Sequence, residues 1–385
     1  MSTWQLRALT LARASVMPPS VVASRRALAV ALAVLAPRAA ASTPPAPTGS
    51  NASTYNVYVR GSLVSWEGSL MPCNLVFVKV YKTASSTTGG VIRQIAAHHA
   101  IRGVTWGWWN FTVEPAMWAS HGNYGMAGVA GTRHGPTATL TMAALVSRLA
   151  KPTVLLATVR SPALRCLSAY YHFAASRNFT TEGKVAFSRQ YCRNEMYWYL
   201  RPEPHEPHKR PHHFELAATP KELVDRIYSW VGVVERYDES MVLLADMLNL
   251  PLREVLYLSS KNSSAGTRDD HGATLTQHGP LAREPPKVRG YMSGREFAKR
   301  NALDFELYDA ANAELTSRWR AGTDMTERLT QYLHMLDRTR QACSEAGREA
   351  TIALLDRHDG RGCYYRDNGC GYRCVDALYP PGTAA

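Results

Sequence analysis

No stretch of this chain reaches the roughly 20 apolar residues that a membrane-spanning helix needs. The apolar run Ala27–Ala36 (ALAVALAVLA) covers half that length. The pattern G-x-x-x-x-G-K-[ST] is absent, and so is a Mg²⁺-binding signature to accompany it. That argues against a P-loop kinase. The seven cysteines include no paired C-x-x-C spacing of the kind a zinc ribbon uses. Lysines and arginines are scattered, with no dense basic run interleaved with aromatics, which argues against nucleic acid as a partner. No repeat of fixed period appears.

What remains is a chain of 385 residues, 45% hydrophobic, with 44 Lys and Arg against 31 Asp and Glu. It is long enough for one full core plus a tail. The net charge of +13 suits a multiply anionic small ligand or an acidic glycan.

The N-terminus reads as a targeting segment. Arg25 and Arg26 precede the apolar run, and Pro37-Arg38-Ala39-Ala40-Ala41 follows it. Its length favours a signal peptide with a small-residue cleavage site near Ala39–Ala41. A Pro-, Ser- and Thr-rich stretch from Ser42 to about Asn56 reads as a flexible stem. Sequons at Asn51, Asn110, Asn178 and Asn262 point to a luminal environment. Cys343, Cys363, Cys370 and Cys374 cluster near the C-terminus, where two disulfides are expected. Cys73, Cys166 and Cys192 are left over, so at least one of the seven thiols is free or pairs between chains.

Two segments carry the chemistry. In the first, Leu75–Val78 is an apolar run of strand length, followed by Lys82-Thr83-Ala84-Ser85-Ser86-Thr87. Val91, Ile92, Ile95 and Ala96 then recur at helical spacing. This predicts a strand, a hydroxyl-rich loop and a helix whose N-terminus suits a phosphate or sulfate ester. In the second, the apolar run Thr153–Val159 ends at Arg160-Ser161-Pro162. Ser161 suits an N-cap and Pro162 the first helical position. Arg160 then stands at a strand end, and Ser168 lies about two turns into the helix, so both can grip one phosphate. Leu164, Leu167 and Tyr171 are expected to face the core.

A third strand is expected over Ile227–Val234, leading into Glu235 and a helix with Leu243, Leu244, Met247 and Leu248 on one side. Phe305, Tyr308, Asn312, Leu315 and Trp319 form a helical stripe. Strands alternating with helices predict an α/β fold, a mainly parallel sheet flanked by helices. Residues 196–215, with four prolines and four histidines, read as an exposed loop. Trp106, Trp108, Trp109 and Trp118 are candidates for stacking on sugars or for the core.

The two segments resemble the 5′-phosphosulfate loop and the 3′-phosphate motif of sulfotransferases that use 3′-phosphoadenosine 5′-phosphosulfate (PAPS). Arg160, Pro162, Arg165 and Ser168 stand at the family's spacing, with Ser161 where Asp is usual. FVKVYKTASSTTGGVIRQI, TVRSPALRCLSAYYHF and VGVVERYDESMVLLADML are most similar to the Golgi galactose-3-O-sulfotransferases, which include galactosylceramide sulfotransferase. ALDFELYDAANAELTSRW adds a weaker match. The uronyl and heparan sulfate 2-O-sulfotransferases share the scaffold and remain competitors. A secreted glycan-binding protein on the same fold, without catalysis, is a third reading.

The resemblance implies a P-loop-NTPase-like sulfotransferase fold and PAPS as donor, with no metal. It implies a glycolipid or glycan acceptor and a type II anchor in the Golgi membrane. The organisation is then 1–41 signal peptide or anchor, 42–56 stem, 57–340 catalytic domain and 341–385 Cys-rich tail. Lys82 would neutralise the leaving phosphate, and Thr83, Ala84, Ser85, Ser86 and Thr87 would hold the 5′-phosphosulfate. Arg160 and Ser168 would hold the 3′-phosphate. His134 is the candidate general base, with His98, His99, His121 and Glu235 as rivals. Lys261 is a weaker candidate for closing over the donor.

Overall fold

Apolar runs at Asn74–Val78 and Thr153–Val159 are buried at every position, as strands covered on both faces must be. They are the centre of a seven-stranded sheet in the computed structural model, which describes residues 55–59, 62–66, 70–104, 114–120, 146, 149–174, 180–201, 218–258, 280–343 and 372–380.

The chain opens with the hairpin β1 (Tyr55–Val59) and β2 (Ser62–Trp66). Strand β3 (Asn74–Val78) leads through the candidate loop into helix α1 (Ser85–His98). Strands β4 (Arg102–Val104), β5 (Ala116–Ser120) and β6 (Thr153–Val159) follow. Helices α2 (Pro162–Phe173), α3 (Thr181–Tyr191) and α4 (Glu195–Leu200) come next, then β7 (Trp230–Val233) and α5 (Tyr237–Leu248). The remaining helices are α6 (Pro286–Met292), α7 (Arg295–Arg300), α8 (Ala302–Ala321), α9 (Met325–Cys343) and α10 (Tyr372–Leu378).

The parallel strands run in the order β4, β5, β3, β6, β7, and β1 joins antiparallel at the start of β6. From β3 the chain crosses to β4 on one side, and from β6 it proceeds to β7 on the other. The carboxyl ends of β3 and β6 therefore flank a topological switch point, where open α/β sheets bind ligands. Asn74 pins the opposite edge. Its Nδ2 donates to Lys151 O at 3.2 Å and to Thr153 Oγ1 at 3.1 Å, while its Oδ1 accepts from Ala116 N at 2.8 Å. One buried amide thus sets the starts of β3, β5 and β6.

Several local expectations shift. The strand expected over Ile227–Val234 shortens to Trp230–Val233. Before it, Tyr228 N bonds Leu223 O at 2.9 Å and closes a π-helical turn, Leu223–Ile227. Gly232 is required where it stands, since a Cβ there would meet Trp230 Cη2 at 2.4 Å. The buried stripe of α8 is Asp304, Leu307, Ala311 and Leu315, one position off the expected set apart from Leu315. Phe305, Tyr308 and Trp319 flank that stripe and pack against the core only in part. In α2, Leu167 is buried, but Leu164 and Tyr171 are only half-buried. The start of the expected loop 196–215 is helical, because Met196, Tyr197 and Leu200 of α4 enter the core. Residues 202–215 lie outside the described residues.

Cys343 and Cys374 form one disulfide, tying α9 to α10, and Val375 of α10 enters the main core. The second joins Cys166 on α2 to Cys192 at the end of α3, a pair that the cysteine spacing left unassigned. Cys73 is free and buried, and burial pushes its thiol up to about 12. Cys363 and Cys370 lie outside the described residues. Disulfides of this kind fit an oxidising, secretory-type environment. Among the described residues no helix is long and apolar enough to cross a membrane, and Ala27–Ala36 is not one of them.

Candidate active site

The loop between β3 and α1 is built on two left-handed residues, Lys82 at φ 67° and Ala84 at φ 56°. Neither is glycine, and each such position costs roughly 1–2 kcal/mol. Thr83 holds the loop in that shape. Its buried Oγ1 donates to Val80 O at 3.0 Å and lies 3.0 Å from Thr158 Oγ1 on β6. The Thr83 hydroxyl is therefore engaged inside the fold. Ala84 is the N-cap without a side-chain cap, and the first helical bond runs from Thr88 N to Ala84 O at 3.0 Å. The expected loop residues Ser85, Ser86 and Thr87 instead form the first turn of α1. They sit at the positive end of its dipole. Thr88 Oγ1, 2.8 Å from Tyr237 OH, fastens this turn to α5.

Arg160 comes from the neighbouring strand end. Its Nη1 reaches Lys82 O at 3.4 Å, bringing together two residues 78 apart in sequence. Its Nε is buried without a hydrogen-bond partner. Burial pulls the guanidinium below its ordinary range, Glu235 partly offsets this, and Arg165 adds to the lowering. A cation with an unsatisfied buried N–H, beside a helix N-terminus, is suited to an anionic ligand. Ser161 is the N-cap of α2 and Pro162 opens the helix, as expected, but the Ser161 side chain makes no cap bond. Its amide donates instead to both oxygens of Glu235, at 3.2 and 3.3 Å.

Ser168 lies nearly buried in α2, 8% exposed. The helix that carries it is held from several sides. Arg165, 1% exposed, donates to Glu195 Oε2 at 3.0 Å. The Cys166–Cys192 bridge fixes α2 to the end of α3. Asp304 on α8 accepts from Met196 N at 3.3 Å and Tyr197 N at 2.9 Å, while Asn194 Oδ1 accepts from Leu303 N at 3.0 Å. α4 and α8 thus cap each other. Burial raises Asp304 to about 6, against the opposing charge of Arg165. Tyr81, next to Lys82, packs edge-on against Phe173 of α2 at 5.8 Å and Tyr199 of α4 at 5.5 Å.

Two of the rivals for a base stand away from the loop. His98 and His99 stand at the far end of α1, about 20 Å from the loop by helix rise. His98 pairs with Asp376 at 3.2 Å and His99 with Glu254 at 2.8 Å, so both serve packing. Trp118 is a buried core residue of β5. His134, His121, Lys261, Trp106, Trp108 and Trp109 lie outside the described residues. One contributor escaped the sequence reading: Thr158, whose signal was a hydroxyl inside the run TVLLATV. Glu235, one of the rivals for the base, accepts the Ser161 amide.

No protein-family model matches this chain, and no curated protein sequence matches it.

Proposed function

We propose that this protein is a PAPS-dependent carbohydrate sulfotransferase acting on a galactose hydroxyl of a glycolipid or glycan. The observation that carries the reading is Arg160, with its buried Nε lacking a partner, held against the Lys82 loop at the C-terminal edge of a parallel sheet. The motif resemblance supplies the donor class. The architecture is compatible with the sulfotransferase fold that the resemblance implies. The two disulfides are compatible with a Golgi lumenal, type II placement.

PAPS, when bound, supplies a sulfuryl group to be moved in line onto an acceptor oxygen. Such a transfer depends on positioning and charge neutralisation more than on covalent catalysis. Lys82 would neutralise charge on the leaving phosphate. Ser85, Ser86 and Thr87 would bind the 5′-phosphosulfate at the dipole end of α1, and Thr83 and Ala84 would contribute main-chain groups. Arg160 and Ser168 would bind the 3′-phosphate. His134 would take the acceptor hydroxyl's proton on a ring nitrogen. No residue in this scheme needs a metal.

The test is transfer of labelled sulfate from PAPS to a panel of galactolipids, galactosides and uronic-acid glycosaminoglycans. Labelled galactoside or galactolipid is the expected product. Labelling confined to glycosaminoglycans would move the acceptor to uronic acid. No labelling at all, with intact nucleotide binding, would favour a non-catalytic glycan-binding protein.

A further inference from the structure

Glu235 lies on the 3₁₀ turn Val234–Arg236 that follows β7 and reaches three elements. Both carboxylate oxygens accept the Ser161 amide at the start of α2. Oε1 stands 3.9 Å from Arg160 Nε. Tyr308 on α8 lies near enough that burial, together with the carboxylate's charge, raises its hydroxyl. The Arg160 contact is an ion pair too long to be a hydrogen bond. It balances charge while leaving the guanidinium's N–H directions to other acceptors. Arg160 is only 20% exposed, and burial disfavours its charge, with Glu235 the offsetting anion.

We propose that Glu235 is a positioning residue, not a general base: it holds Arg160 and the first turn of α2 in place for a 3′-phosphate. The inference rests on the PAPS reading of the site. Its chemistry follows from what the carboxylate touches. Both oxygens share the Ser161 amide, which fixes the carboxylate against the start of α2, and Oε1 stands 3.9 Å from Arg160 Nε, the arginine assigned to the nucleotide. A base would have to face the acceptor hydroxyl. Glu235 therefore acts through Arg160, and its removal should weaken nucleotide binding through that side chain.

The experiment uses the full chain and adenosine 3′,5′-bisphosphate as the probe. Calorimetric affinity is measured for wild type, Glu235→Gln, Glu235→Ala, Arg160→Ala and the Arg160→Ala/Glu235→Ala double variant. Hydrogen exchange is followed over residues 160–168. Glu235→Ala is expected to weaken binding by about tenfold or more, on the scale of one charge-assisted contact. It should also speed exchange at the start of α2. Glu235→Gln, which keeps an oxygen for the Ser161 amide, should restore the exchange protection and part of the affinity. In the Arg160→Ala background, losing Glu235 should change affinity by less than about twofold, since both act through one guanidinium. Wild-type affinity in Glu235→Ala, or an undiminished loss in the Arg160→Ala background, would overturn the proposal. So would turnover lost by about 10²-fold at saturating donor with unaltered affinity, the signature of a base. If wild type itself fails to bind the bisphosphate, the PAPS reading falls. Exchange then decides only whether Glu235 anchors the first turn of α2: faster exchange in Glu235→Ala upholds that anchoring and unchanged exchange refutes it. Should Glu235→Ala not fold, Glu235→Gln carries the same affinity comparison.

Discussion

The guanidinium of Arg160 lies 3.4 Å from the main-chain carbonyl of Lys82, so the end of β6 and the loop after β3 meet at one edge of the sheet. Neither residue is near the other in sequence. Parallel pairing of β3 with β6, in the register Asn74 to Thr153, makes them neighbours.

Adenosine 3′,5′-bisphosphate should stabilise the fold. At 100 times its dissociation constant the gain is about 2.7 kcal/mol, visible as a rise in Tm. Arg160→Ala should remove most of that rise without lowering the unliganded Tm comparably. Equal stabilisation by ATP would discard the 3′-phosphate assignment.

Lys82→Ala should lower turnover by about 10²–10³-fold, the usual loss for one contact to developing charge. Circular dichroism should be unchanged, although the left-handed φ of 67° at this position suits neither residue. Near-normal turnover would take Lys82 out of the chemistry.

His134→Ala should lower turnover by about 10²–10⁴-fold and leave bisphosphate affinity unaltered, because a base touches the acceptor. The same comparison on His121→Ala identifies the base if His134→Ala stays active.

Asp304 should make stability depend on pH. Its folded value is about 6, raised from 3.8 by burial, so between those values the folded state holds a proton that the unfolded state has lost. Stability should therefore fall as pH rises from about 4 to 6 and stay at the lower level above that. Urea midpoints across this range measure it. Asp304→Asn, which keeps an acceptor for Tyr197 N, should flatten the slope. An unchanged slope would assign the dependence to other groups.

Loss of the Cys166–Cys192 bridge should cost roughly 3 kcal/mol, given its sequence separation of 26 residues. The Cys166→Ala/Cys192→Ala double variant, unfolded in urea, reads this directly. Because the bridge anchors the helix that carries Ser168, bisphosphate affinity should fall with it.

Much of the architecture was legible in local patterns. The buried strands β3 and β6 were plain because a strand covered on both faces must be apolar at every position. The start of α2 was plain because Ser161 and Pro162 suit the N-cap and first helical positions whatever packs nearby. Where neighbours in space decide the outcome, local reading stopped short. The α8 stripe moved by one position because Asp304 turns inward to cap α4, and no helical period encodes that partner. Ser161 is right for a cap, yet Glu235, 74 residues away, accepts the amide. Cys166 found Cys192 because α2 and α3 pack side by side, and spacing alone could not choose among seven thiols. The residue types of the site, an arginine, a lysine and a run of hydroxyls, were determined by the sequence alone. Which hydroxyls are spent inside was decided by tertiary structure: Thr83 bonds Thr158 only because parallel strands set those two side chains 3.0 Å apart.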